Sequence, residues 1–153
     1  MKYVILHNIR SSHNVGATFR TCEGAGVAKI FLTGYTPAPL DRFGRPVPEI
    51  LKTSLGASAM VPWEQSTEIA SVISTLKEQT VMVVAVEQTT NSVSLFNFVP
   101  PENVAYIFGN EITGITPEVL TLCDQVVEIP MGGQKESLNV SVTAGIILFQ
   151  KPR

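Results

Sequence analysis

The chain has 153 residues, 44% of them hydrophobic and 16% charged, with a formal net charge of −2. That length suits one domain, expected here over residues 1–153, and the composition excludes disordered and collagen-like chains. The longest apolar runs, such as 81–86 and 145–149, fall far short of the ~20 residues of a membrane-spanning helix. The first residues, Met1-Lys2-Tyr3-Val4, do not read as an export signal, so a soluble, cytoplasmic protein is expected.

Residues 3–7 form a short apolar strand. Over 14–26, Val15, Thr18, Phe19, Cys22 and Ala25 recur at spacings of three and four, which predicts a half-buried helix. A second strand covers 29–33. Residues 34–48, with four prolines and two glycines, read as a long loop. A short strand is expected at 59–62, then a helix capped by Ser66 or Thr67 and running to Glu78. The β-branched run 81–87 suits a strand covered on both faces, and 103–108 is another. Thr116-Pro117-Glu118 supplies a cap, a first-turn proline and a first-turn acid for a helix ending at Leu122. A last strand at 125–129, a glycine-containing loop at 130–135 and an apolar helix at 137–150 complete the chain. This alternation predicts an α/β fold, a mostly parallel sheet with helices on both faces.

Charge is uneven. Residues 1–52 carry seven basic and three acidic side chains, a net +4; residues 53–153 carry four and ten, a net −6. A basic N-terminal third can present a positive face to an anionic partner, or it can be chance clustering. The two cysteines, Cys22 and Cys123, form no Cys-x-x-Cys pair, and only His7 and His13 accompany them. No metal site is expected, and both thiols read as buried and inert.

In a parallel sheet, ligands collect beyond the carboxyl ends of the strands, and three such segments carry polar residues. In 8–20, Asn14 reads as a helix cap, Gly16 and Ala17 permit close packing, and Arg20 is either solvated or a fork for a phosphate or carboxylate. In 108–117, Gly109 lets a ligand approach the backbone, and Glu111 is an acid, a base, an anchor or a helix-start charge. In 129–142, two glycines precede Ser137, a cap, and Asn139, a weak helix former with no evident capping duty. The chain lacks the P-loop, the Gly-x-Gly-x-x-Gly turn and the Gly-x-Ser-x-Gly elbow.

Taken in order, Asn14-x-Gly16-Ala17-x-x-Arg20, Phe108-Gly109-Asn110-Glu111-x-x-Gly114 and Ile129-Pro130-Met131…Ser137-Leu138-Asn139-Val140-Ser141 resemble the three motifs of the SpoU/TrmH-type RNA 2′-O-ribose methyltransferases of the SPOUT superfamily. The resemblance spans nearly the whole chain but covers only the family's catalytic domain, without the extra RNA-binding domain of some members. It implies a C-terminal trefoil knot, S-adenosylmethionine as cofactor, and a homodimer in which the first-motif arginine of one subunit faces the cofactor of the other. By position it implies Asn14, Arg20, Glu111, Ser137 and Asn139 as catalytic residues, with Gly109, Ile129, Met131 and Leu138 holding the cofactor. The substrate it implies is structured RNA, tRNA or rRNA. A non-catalytic RNA-binding or cofactor-sensing module on the same fold is the alternative. For RNA contact the candidates are Arg10, Arg42 and Arg45, with Lys52 nearby and Tyr35 or Phe43 available to stack on an unpaired base.

Overall fold

The computed structural model describes residues 1–151; Pro152 and Arg153, the end of the expected domain, lie outside the described residues. The strands β1 (Lys2–His7), β2 (Lys29–Thr33), β3 (Trp63–Ser66), β4 (Met82–Val86), β5 (Val93–Ser94), β6 (Val104–Phe108) and β7 (Gln125–Glu128) form one sheet in the order β3-β2-β1-β6-β4-β7-β5. Every pairing between them is parallel. The helices are α1 (Ser12–Gly24), α2 (Pro48–Ser54), α3 (Ile69–Glu78), α4 (Pro117–Leu122) and α5 (Val140–Leu148).

Side chains alternate across each strand, and both faces are buried. Val4, Leu6, Tyr106 and Phe108 point to one side, where Val15, Phe19 and Cys22 of α1, Ile50 of α2, and Ala144 and Ile147 of α5 cover them. Ile5, Ala105 and Ile107 point to the other, under Val72, Ile73 and Leu76 of α3 and Val119 of α4. The expected parallel sheet with helices on both faces is thus the one that forms. Helices α1 and α2 cross closely at Gly16, where a Cβ would lie 2.7 Å from the Ile50 carbonyl oxygen and strike the Thr53 hydroxyl. Cys22 is buried, which pushes its thiol well above the ordinary range. Cys123 is half-buried, and burial raises its thiol to about 11.

Several local expectations are corrected. Helix α1 starts earlier than residue 14: its cap is Ser11, which accepts from the Asn14 amide at 3.1 Å. The expected loop at 34–48 ends in α2, with Pro48 in its first turn beside Glu49, and Lys52 in its last. Leu55 (φ 48°) and Gly56 (φ 89°) then turn the chain out of the helix. No strand forms at 59–62. Ala57–Ala59 is a single 3-10 turn, and pairing begins only at Trp63, because Pro62 has no N–H and offers just its carbonyl to Ile30. Helix α3 starts at Ile69 after Glu68, whose amide is taken by the Ser66 hydroxyl. The two-residue β5 has no sequence signature and exists through its pairing with β7. Helix α5 begins at Val140, so Ser137 is not its cap; Asn139 is.

Candidate active site

The loops that follow β1, β4, β6 and β7 meet at the carboxyl edge of the sheet, and between them lies a cleft of ≈ 700 Å³. Sequence-predicted residues from all three motifs line it: Asn14 from the first, Gly109 and Glu111 from the second, and Ile129, Met131, Ser137, Leu138 and Asn139 from the third. Its charged lining residues are Glu87, Glu111, Glu128 and Glu136; among the described residues no lysine or arginine lines it. Gly109 is a packing requirement, since a Cβ there would lie 2.6 Å from Ile115 and 2.7 Å from the Gly114 carbonyl carbon. At Gly114, φ is +68° and a Cβ would collide with the Glu87 carboxylate.

Polar bonds across about a hundred residues of sequence lock the motifs together. Glu111 accepts from the backbone amide of Arg10 through Oε1 (2.9 Å) and from that of Ser11 through Oε2 (3.0 Å). Partial burial pushes the Glu111 carboxyl up, but hydrogen bonds from the Arg10, Glu111 and Ser11 amides and the Asn14 side chain outweigh it and hold the group below its ordinary value. It is a carboxylate at neutral pH. The Asn139 side-chain amide donates to Asn14 Oδ1 at 3.1 Å, while its own Oδ1 accepts from the Ser141 amide (2.9 Å) and hydroxyl (2.7 Å). Asn139, Asn14 and Glu111 therefore form one chain of polar contacts from motif three through motif one to motif two. Asn139 does have a capping duty, in addition to a face on the cleft. Ser137 and Leu138 stand exposed at the cleft mouth.

Arg20 is the exception. It is exposed on α1 and lines a separate groove of ≈ 450 Å³ with Thr53, Ser141, Gly145 and Phe149. Within one chain it does not reach the cleft that holds the other motif residues. Arg10 is exposed beside the cleft, its amide tied to Glu111. Arg42 and Arg45 sit in the loop after β2, their guanidinium carbons 4.7 and 4.9 Å from the Phe43 ring centroid. Asp41 folds that turn, with Oδ1 accepting from the amides of Phe43 (2.8 Å) and Arg45 (3.0 Å) and Oδ2 pairing with Arg45 Nε at 3.2 Å. The Arg45 amide bond, the largest influence, together with the bonds from the Phe43 amide and the Arg45 side chain, holds Asp41 below the usual carboxylate range against an upward push from desolvation.

Two residues outside the sequence candidates belong to the site. Glu87, just past β4, lines the cleft and accepts from the Ile115 amide at 3.1 Å, bracing the second-motif loop. Its place at a carboxyl strand end was the available signal. Asn110 is 8% exposed and bonds to Asn8, Tyr35, Ile112 and Thr113 at 2.8–2.9 Å. No sequence pattern identifies those partners, because Asn8 and Tyr35 are brought to it only by the pairing of β1 with β6 and β2.

An all-parallel α/β domain with an acidic, glycine-walled cleft at its carboxyl edge is one built to hold a small neutral or cationic ligand. The SpoU rRNA Methylase family model matches residues 1–149, and the chain belongs to that family. It is 33% identical over 98% of its length to the 23S rRNA (guanosine-2′-O-)-methyltransferase RlmB of Neisseria meningitidis serogroup B, and spans 57% of that protein. The chain thus covers little more than half the length of the curated relatives it matches. Among solved structures, it superposes on the TrmH/SpoU tRNA modifying enzyme of A. aeolicus with a TM-score of 0.83 at 26% identity, covering 97% of this chain and 72% of that one. The AdoMet-bound rRNA methyltransferase of Sinorhizobium meliloti gives a TM-score of 0.82 at 27% identity, over 97% and 54%.

Proposed function

We propose that this chain is the catalytic unit of an S-adenosylmethionine-dependent RNA 2′-O-ribose methyltransferase. It works as a homodimer, its C-terminal part tied in the trefoil knot that the resemblance implies. The observation that carries this reading is the single cleft where Asn14, Glu111, Ser137 and Asn139 meet Gly109, Ile129, Met131 and Leu138. The residues present fit the cofactor. The volume is that of a small-molecule site, Ile129, Met131 and Leu138 offer apolar contact to a purine, and the four carboxylates favour a sulfonium and an ammonium. Those three side chains and the Gly109 backbone would hold it, and when bound it supplies an electrophilic methyl group. The relatives' names direct the substrate to the ribose of an RNA, with an rRNA guanosine the first to test and tRNA the second.

The chain's own residues have separable duties. Glu111 spends both oxygens on backbone amides and is held ionised, so it positions the first-motif loop and is a poor proton acceptor. Ser137 and Asn139 at the cleft mouth supply hydrogen bonds to the ribose and orient its hydroxyl. Arg20 offers hydrogen-bond donors and no acceptor; it binds the phosphate next to the target ribose and stabilises the developing alkoxide, and a phosphate oxygen accepts the proton. To do so it must serve the cleft of a second copy. Val142 and Ile146 of α5 and Phe149 just after it are exposed, and Phe149 lines the groove with Arg20, an apolar face suited to an isologous contact.

The test is transfer of labelled methyl from S-adenosylmethionine to total RNA, followed by subunit mixing. Arg20→Ala and Leu138→Arg chains should each be inactive alone. Reassociated in equal amounts they should recover about a quarter of wild-type activity, because half the dimers then hold one intact composite site. No recovery with dimers present refutes the shared site, and cofactor binding without transfer to any RNA leaves a non-catalytic module.

A further inference from the structure

We propose that Tyr35 is the platform on which the base of the target nucleotide stacks, and that the target is therefore an unpaired nucleotide when it reaches the cleft. This rests on the methyltransferase reading above.

Tyr35 is 60% exposed, yet both of its ends are fixed. Its backbone amide donates to Asn8 Oδ1 at 3.2 Å, and its hydroxyl oxygen accepts from the Asn110 side-chain amide at 2.9 Å. Asn110 is a wall residue of the cleft. The same amide donates to the Asn8 carbonyl (2.9 Å), and Asn110 Oδ1 accepts from the amides of Ile112 (2.8 Å) and Thr113 (2.9 Å). One buried side chain thus ties the Tyr35 ring to the loop that walls the cofactor cleft.

The backbone around Tyr35 is shaped for this. Asn8 and Gly34 both adopt left-handed conformations, with φ of 54° and 62°. A Cβ on Gly34 would strike Asn8 Oδ1, the atom that receives the Tyr35 amide. Gly and Asn are the residues that enter the left-handed region most readily, so the sequence itself sets the turn that presents Tyr35. Here the bonds fix the edge of a large aromatic ring and leave most of it open to water. A rigid exposed ring loses little conformational freedom on binding, and the flat faces of unpaired bases are read by stacking on such rings.

Phe43 is the competing aromatic, but the Arg42 and Arg45 guanidiniums already lie against its ring. That cluster suits phosphates of the flanking strand. The order along the loop is then a base platform at Tyr35, next to the cleft, followed seven to ten residues on by the cationic grip of Arg42 and Arg45.

Tyr35→Leu and Tyr35→Phe separate the ring from the hydroxyl. With total RNA from cells lacking this gene as methyl acceptor, Tyr35→Leu should lower kcat/KM about 5- to 150-fold, the range for losing one base–aromatic stack. Its calorimetric affinity for S-adenosylmethionine should stay within about twofold of wild type. Tyr35→Phe keeps the ring and should recover most of that loss. A second readout needs no turnover: a single-stranded oligoribonucleotide carrying 2-aminopurine should be quenched on binding wild type and Tyr35→Phe, but not Tyr35→Leu. Equal activity and quenching in wild type and Tyr35→Leu overturn the proposal, as do equal losses in both variants. A wild-type protein that neither binds the cofactor nor methylates RNA refutes the methyltransferase reading instead, and the quenching experiment still decides whether Tyr35 stacks.

Discussion

Replacing Glu111 with Gln is the sharpest single perturbation of the site, because it keeps the shape and removes the charge. The carboxylate receives the amides of Arg10 and Ser11 at 2.9 and 3.0 Å. Gln can accept one of them through its carbonyl; its NH₂ group meets the other donor-to-donor. One charge-assisted bond is lost and the second becomes a neutral one, each step worth about 1–3 kcal/mol. Water reaches the half-buried freed amide, so a net loss of roughly 2 kcal/mol is expected. For a domain of this size that lowers Tm by about 4–8 °C.

The pH dependence gives a stricter check. The folded-state pKa of Glu111 lies below its ordinary value of 4.5, so its contribution is fully present above that value and disappears as pH falls through the folded pKa. The Tm gap between wild type and Glu111→Gln should be constant from pH 6 to 8, shrink below about pH 4.5, and close in stronger acid. Thermal melts by circular dichroism over this range measure it directly. A gap that is absent at pH 7, or one that persists unchanged in acid, would falsify the clasp between the first two motifs.

Further predictions concern single contacts. Asn139→Ala removes the α5 cap and the bond to Asn14, so it should cost about 1–2 kcal/mol, or ~2–8 °C of Tm, besides activity; melts unchanged from wild type would show that the cap is dispensable. Gly114→Ala places a Cβ against the Glu87 carboxylate at a positive φ, and should weaken cofactor affinity at least ~10-fold by calorimetry; unaltered affinity would mean that the Glu87 brace does not shape the cleft. Reversing Arg42 and Arg45 to Glu should weaken RNA binding and flatten the plot of log affinity against log salt by about 1–2 units; an unaltered slope removes this loop from the RNA interface.

What the sequence could disclose follows from how far each signal reaches. Strands β1, β2, β4 and β6 are apolar runs with both faces covered, so local composition marks them. The caps were misplaced because Ser11, Ser12 and Asn14 are all competent N-caps within four positions, as are Ser137 and Asn139 within three. Local propensity cannot rank such neighbours; the choice falls to whichever amide the helix leaves unpaired. Strands β3 and β5 sit at the two sheet edges and hold their place by pairing more than by pattern.

The site divides in the same way. Asn14, Glu111 and Asn139 stood out as polar residues in apolar or glycine-rich surroundings, a chemistry readable from order alone. Their mutual bonds were not, since Glu111 reaches Arg10 and Asn139 reaches Asn14 across 101 and 125 positions. Arg20 marks the limit of a single chain. Its motif places it with the cleft residues, whereas the fold puts it in a separate groove that it lines with Ser141 and Gly145 of α5. The role proposed for Arg20 therefore requires a second copy of the chain to carry it to the neighbouring cleft. The subunit-mixing experiment therefore bears on the fold and the chemistry together: a quarter of the activity recovered requires both the predicted chemistry at residue 20 and a dimer that carries it to the neighbouring cleft.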